Sequence, residues 1–241
     1  MCRRPEKCAG AAGESKNVHS PFDTVLGGGL LRGSVIVLAG EPGAGKTALL
    51  LQVAAGFAEA GERVHYASPE QHPEEVVFMA RRLGLTPHVG LPVTVGLERD
   101  VEEIARVAKT ASVLVVDSIQ TIRVDPRRSL GSPTEMRAAV QRFMNFAREE
   151  EKIVILLSHV LKDGDARLPA ASQYAVDAIL YLLFYAVWDD FGENKTPNPR
   201  EIRDEGKNRF AASGSALLEM TERGFEEPSL ATRRVLSKNN A

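Results

Sequence analysis

The sequence predicts an α/β fold: a mostly parallel twisted sheet with helices on both faces and a β-hairpin at its C-terminal edge. Three observations predict it. Short apolar runs bounded by turn residues alternate with longer amphipathic stretches, the pattern of strands joined through crossover helices. The first two runs carry almost no polar residue in their interiors, as strands do when both faces of a sheet are covered. A chain of 241 residues, 44% hydrophobic and 26% charged, is long enough to bury a full core as one domain.

Taken in order, residues 1–20 are rich in Gly, Ala, Ser, Lys and Glu without apolar periodicity and read as a flexible arm. The globular core is assigned to residues 21–226 and a flexible tail to 227–241. Strands are expected at Ser34–Ala39, Arg63–Ser68, Val113–Asp117, Ile153–Ser158 and Ala178–Phe184, with the first two central. Helices are expected at Lys46–Ala60, Pro73–Leu83, Val101–Thr110 and Thr134–Glu150. After Trp188 the chain becomes rich in Pro, Asn and Asp, and Ile202–Arg209 with Ala216–Met220 read as the arms of the edge hairpin.

The formal net charge is -2, from 30 Lys+Arg against 32 Asp+Glu, so contact with nucleic acid has to come from local patches rather than bulk charge. Cys2 and Cys8 supply neither a disulfide framework nor a four-ligand zinc site, and a reducing cytoplasm is the expected compartment. The most apolar stretch, Ile179–Trp188, is too short to span a bilayer, so no membrane segment is expected.

The segment Gly40-Glu41-Pro42-Gly43-Ala44-Gly45-Lys46-Thr47 matches G-x-x-x-x-G-K-[ST] and stands between an apolar strand and a helical run opening at Ala48. Such a loop wraps a phosphate with inward N–H groups, and the positive end of the following helix adds to the attraction. Lys46 is then the cation for the β- and γ-phosphates of ATP, and Thr47 offers its hydroxyl to Mg²⁺. Leu114-Val-Val-Asp117 is an apolar strand ending in an acid, which either caps a helix or, beside such a loop, holds the Mg²⁺ water shell.

Hydrolysis needs a group that orients or deprotonates water. Glu70 follows the second strand, whose end is expected to lie next to the phosphate loop, and reads either as that group or as a first-turn helix acid. Glu74 and Glu75, deeper in the same helix, are weaker candidates.

These residues resemble the bacterial RadA/Sms recombination ATPases, within the RecA-like class of P-loop NTPases that includes KaiC-type and replicative-helicase ATPases. Phe22–Gly33 resembles the lead-in to that family's phosphate loop, Val64–Glu70 the strand bearing its catalytic glutamate, and Asp117-Ser-Ile-Gln-Thr121 its Walker B segment. Ser158–Gly164 is similar to its sensor strand and loop, and Lys207-Asn-Arg-Phe210 to its distinguishing short motif. The resemblance implies a water-activating role for Glu70, γ-phosphate sensing for His159, and action of Lys207 and Arg209 at a subunit boundary, with Lys207 donated to a neighbour's ATP. It also implies a homo-oligomeric, hexameric ring around single-stranded DNA. The chain departs from the family at Gln71, Met79 and Ala211, and it lacks the four-cysteine zinc module and the protease-like C-terminal domain, so no zinc is expected.

Two segments, Arg123–Thr134 with Arg123, Arg127 and Arg128, and Lys162–Ala170 with Lys162 and Arg167, read as flexible and basic. They are either ordinary solvated loops or, in a ring, holders of DNA phosphates. A lone His159 at a strand end is otherwise a hydrogen-bonded structural residue, and Trp188, Tyr174 and Tyr181 read as core or interface packing rather than base-stacking platforms. The reading is an ATP-driven single-stranded DNA motor of recombination or replication. Its rivals are a KaiC-like signalling ATPase without DNA dependence and a nonenzymatic ATP clamp.

Overall fold

The short apolar runs give the parallel strands of one nine-stranded sheet in a computed structural model. The structure describes residues 19–85, 93–160, 168–185, 198–211, 214–229 and 232. In chain order the elements are α1 (His19–Val25), β1 (Val35–Gly40), α2 (Lys46–Glu59), β2 (Val64–Ala67), α3 (Pro73–Arg82), β3 (Val93–Gly96), α4 (Val101–Val107), β4 (Val113–Val116), α5 (Pro133–Glu149), β5 (Ile153–His159), α6 (Ala170–Ala175), β6 (Ala178–Phe184), β7 (Asn198–Asn208), β8 (Ser215–Thr221) and β9 (Gly224–Glu226).

The strand order is β3-β2-β4-β5-β1-β6-β7-β8-β9. The six strands from β3 to β6 pair in parallel, and β7, β8 and β9 continue the sheet antiparallel. The expected mostly parallel sheet with an antiparallel C-terminal edge is therefore present, with β9 extending the hairpin. Alternation along β1 divides the core: Ile36 and Leu38 pack with Leu49, Leu50 and Val53 of α2, while Val35 and Val37 pack with Ile104 of α4 and Phe143 of α5. Each such fully buried side chain contributes ~2 kcal/mol of hydrophobic stabilisation.

The helices start where local chemistry allows. The Asp100 side chain accepts from the backbone N–H groups of Glu102 and Glu103 to cap α4, and Ser132 accepts from Glu135 N to cap α5, whose first residue is Pro133. α3 also opens on a proline, with Glu74 and Glu75 in its first turn and Arg81 and Arg82 in its last, in keeping with the helix dipole.

Two expectations change. β1 is central, but β2 lies one strand in from the edge; it is wholly buried because β3, four residues long and partly exposed, covers its outer side. β2 is also separated from β1 by β4 and β5, so its end does not adjoin the phosphate loop directly. At the ends of the core, α1 begins at His19, and Ser229 and Thr232 hydrogen-bond to Glu219 of β8.

Candidate functional site

Sheet topology brings the C-terminal ends of β1, β5 and β4 side by side, and the site is built on the residues that close them. Gly40 closes β1 and opens the loop to α2, and it pairs in register with His159 at the end of β5. A Cβ at Gly40 would stand 2.4 Å from the Leu182 carbonyl oxygen of β6, so the strand can turn here only without a side chain. Gly45 takes φ 99° at the N-cap of α2, and a Cβ there would lie 2.8 Å from the Phe225 ring. The loop therefore enters α2 in a left-handed turn packed against β9, and the first N–H groups of a 14-residue helix open toward it.

Lys46 is only 6% exposed. Its ammonium folds back over the loop and donates to the carbonyls of Gly40 and Glu41, both at 2.8 Å. Burial lowers its pKa, while Asp117 and Glu41 oppose the shift. This is a preorganised cation on a concave glycine loop. Arg200, at the start of β7, adds a second cation: its Nε donates to the Ala44 carbonyl at 3.2 Å, and its guanidinium lies 4.1 Å from the centroid of Phe184.

Thr47 and Asp117 meet, since the Thr47 hydroxyl donates to Asp117 Oδ2 at 2.9 Å. The Tyr66 hydroxyl, wholly buried on β2, donates to the same oxygen at 2.9 Å. Burial raises the Asp117 pKa, the two hydrogen bonds pull it back, Glu70 raises it further and His159 lowers it. Burial and the neighbouring Asp117 hold the Tyr66 phenol well above its ordinary range, so it stays a donor. One hydroxyl and one carboxylate beside a phosphate loop fit Mg²⁺, which takes few protein oxygens and fills its shell with water and substrate phosphate. Among the described residues there is no cluster of three or more His, Cys, Asp or Glu that would hold a metal alone.

Glu70 reaches this group by a route that local sequence does not indicate. It sits in the turn between β2 and α3, and its Oε1 accepts from the Ser118 hydroxyl at 2.7 Å. Its neighbour is thus the residue after Asp117, not the phosphate loop. Gln120 Nε2, on the same segment, donates to Ser158 Oγ at 3.0 Å and ties it to the end of β5.

Lys207 and Arg209 lie elsewhere. Lys207 Nζ donates to the Tyr174 carbonyl at 2.9 Å, and Arg209 Nη1 donates to Asp177 Oδ1 at 2.8 Å. Asp177 Oδ2 accepts from Val35 N at the start of β1. This is the opposite end of the sheet from Gly40, roughly 16 Å away at ~3.3 Å per residue. Burial and Arg209 lower the Lys207 pKa. Within the same motif Asn208 is structural: its Nδ2 donates to the Val25 carbonyl, and its Oδ1 accepts from Phe210 N and Ala211 N.

The Arg123–Thr134 segment, expected to be flexible, is held from within, and its last two residues open α5. Buried Glu135 accepts from Val124 N and Asp125 N, Arg127 and Arg128 both approach the Asp125 carboxylate, and Arg123 donates to the Pro126 carbonyl. The Arg127 side chain remains 88% exposed. Lys162 and Arg167 lie outside the described residues, as does Trp188. Tyr181 is buried in the core, while Tyr174 is 77% exposed.

Sequence reasoning does not single out Tyr66, Ser118 or Arg200 as site residues. Tyr66 reads as core in an apolar strand, Ser118 carries no signal beyond its place after Asp117, and Arg200 sits in a Pro/Asn-rich stretch without a pattern.

A strand-loop-helix phosphate cradle at the carboxyl end of a parallel sheet, with a Thr–Asp pair beside it and an antiparallel extension, defines a P-loop ATPase of RecA-like fold. A family model described as an AAA domain matches residues 3–165, more than half of the chain, and the chain belongs to that family. It is 31% identical over 230 residues to the DNA repair protein RadA of Brucella abortus (strain 2308), a match covering 92% of this chain and 46% of that protein. The chain thus spans about half the length of the curated relatives it matches. Among solved structures, the RadB recombinase is similar at 26% identity and a TM-score of 0.62 over 87% of this chain and 97% of its own. A KaiC-like protein from Pyrococcus horikoshii OT3 shares the fold at 18% identity and a TM-score of 0.67 over 94% of this chain and 99% of its own. No described helix is long and apolar enough to cross a membrane.

Proposed function

We propose that the chain hydrolyses ATP at the Gly40–Thr47 loop and uses the cycle to act on single-stranded DNA in recombination or repair, as a homo-oligomeric, hexameric ring in the cytoplasm. The observation that carries the hydrolytic reading is the chain of contacts from Thr47 through Asp117 to Tyr66, with Ser118 holding Glu70 beside it. Lys46, with the loop N–H groups, neutralises the β- and γ-phosphates. Thr47 and Asp117 would hold Mg²⁺, which when bound would offset negative charge on the phosphates. Glu70 accepts the proton of the attacking water, and the Ser118 hydrogen bond fixes the carboxylate's direction. His159, in register with Gly40, responds to the γ-phosphate.

Lys207 and Arg209 face away from the chain's own loop, which supports their action on a neighbour's nucleotide. The DNA reading rests on the similarity to RadA proteins and on exposed arginine in the 123–132 segment. ATP turnover measured with and without single-stranded DNA tests it. Stimulation by DNA is expected. Turnover without stimulation favours a signalling ATPase, and binding without turnover favours a nonenzymatic clamp.

A further inference from the structure

Arg99 lies away from the phosphate loop, yet it is the side chain that holds the turn carrying Glu70. It follows β3 closely, and its guanidinium donates twice to the carbonyl of Pro69, the residue before Glu70: from Nε at 3.2 Å and from Nη2 at 2.9 Å. The far side of this link is rigid. The Arg99 carbonyl accepts from Arg123 N at 2.8 Å, Val101 N donates to the Arg123 carbonyl at 2.9 Å, and Asp100 caps α4. α4 is anchored in turn by buried Val101 and Ile104. The near side is a turn of neither helix nor strand, in which Glu70 itself is exposed.

We propose that Arg99 is a positioning residue for Glu70, clamping the Pro69 carbonyl so that the Glu70 carboxylate stays where Ser118 meets it. The proposal rests on the reading of Glu70 as the water-activating group. A charged donor making two bonds to one carbonyl restrains both the distance and the direction of the peptide next to Glu70. A displacement of about 1 Å at such a group costs up to ~10²-fold in rate. Arg99 does not touch the phosphate loop, so ATP binding should not depend on it. Arg99 also grips the root of the 123–132 segment through its backbone, so the two ends of the clamp join the Glu70 turn to that segment.

The experiment measures kcat and KM for ATP, with melting temperature as a folding control, in Arg99→Ala, Arg99→Lys, Glu70→Gln and the Arg99→Ala/Glu70→Gln double variant. Arg99→Ala is expected to lower kcat about tenfold, with KM and melting temperature close to those of the parent. Arg99→Lys, still able to reach the carbonyl with one donor, should recover part of the rate. In the Glu70→Gln background Arg99→Ala should add nothing, because the group it positions no longer acts. A full-rate Arg99→Ala variant beside a slow Glu70→Gln variant overturns this proposal alone. So does an undiminished Arg99 effect in the Glu70→Gln background, or a rate decrease that tracks a lowered melting temperature. A full-rate Glu70→Gln variant removes the Glu70 reading and the proposal with it.

Discussion

Ser118 donates its hydroxyl to Glu70 at 2.7 Å, which joins the turn after β2 to the residue that follows Asp117. Two strand ends thus share one acid–hydroxyl contact at the carboxyl edge of the sheet. Glu70→Gln is expected to keep nucleotide binding and slow hydrolysis by ~10²-fold or more, the scale of losing a general base. Ser118→Ala, which frees the carboxylate without removing it, should cost less, about tenfold. Steady-state turnover beside nucleotide affinity checks both, and unchanged turnover in Glu70→Gln would move the role to Glu74, Glu75 or a neighbour's side chain.

Lys46→Ala should abolish turnover. Lys46 is the buried cation on the loop, held by the Gly40 and Glu41 carbonyls, and charge-assisted contacts to phosphate are the main stabilisation such a site supplies. Hydrolysis at the parental rate would refute the site assignment.

Lys207 lies at the sheet end opposite Gly40, where it donates to the Tyr174 carbonyl, so the role proposed for it is one exercised on another subunit's nucleotide. Lys207→Ala is expected to cut turnover on the order of 10²-fold, the scale of removing one preorganised donor, with a smaller change in nucleotide affinity. Specific activity should rise with protein concentration. Mixing Lys207→Ala with Glu70→Gln subunits should restore part of the activity, since some interfaces then pair an intact Glu70 with an intact Lys207. Strictly additive impairment would mean that Lys207 acts structurally within its own chain.

Neutralising Arg127, Arg128 and Lys162 together should weaken single-strand binding and flatten its salt dependence by ~0.7 in log–log slope for each phosphate no longer neutralised. Basal turnover should persist. Neutralising Arg233, Arg234 and Lys238 instead separates a local site from bulk charge. Equal effects from both triples, or absent binding by the parent at low salt with ATP, would retire the DNA motor and leave the ATPase.

Burial raises the Asp23 carboxyl in α1 from 3.8 to about 6. Below 3.8 the group is protonated in both the folded and unfolded chain. Between 3.8 and about 6 the unfolded chain ionises first, so rising pH favours unfolding and the group's contribution is lost by the upper end of that window. Asp23→Asn should therefore melt higher than the parent at neutral pH and close to it at pH ~4. Parallel pH profiles for the two proteins would contradict this.

The phosphate loop was legible because its parts are contiguous: Gly40 to Thr47 must follow a strand and open a helix, and all of that lies within one stretch of sequence. The apolar runs at β1, β4, β5 and β6 and the amphipathic run of α5 were legible because burial on both sheet faces, or on one helix face, fixes their periodicity. β3 was not, since four half-exposed residues carry no such constraint. Nor was the internal order of the Arg123–Ser132 segment, which depends on Glu135 lying buried beneath it.

By itself, the sequence determined the fold class and the cradle, because each is written in local spacing that any strand–loop–helix unit must obey, and it left Asp117 as either a helix cap or an acid beside the cradle. Only the tertiary structure decided which residues meet: Thr47 and Tyr66 on one Asp117 oxygen, Ser118 on Glu70, Arg99 on Pro69, and Lys207 turned away from its own loop. Those meetings follow from strand order, which inserts β4 and β5 between β1 and β2. Strand order is fixed by long-range packing of both sheet faces, a free-energy balance that no local stretch of the chain contains.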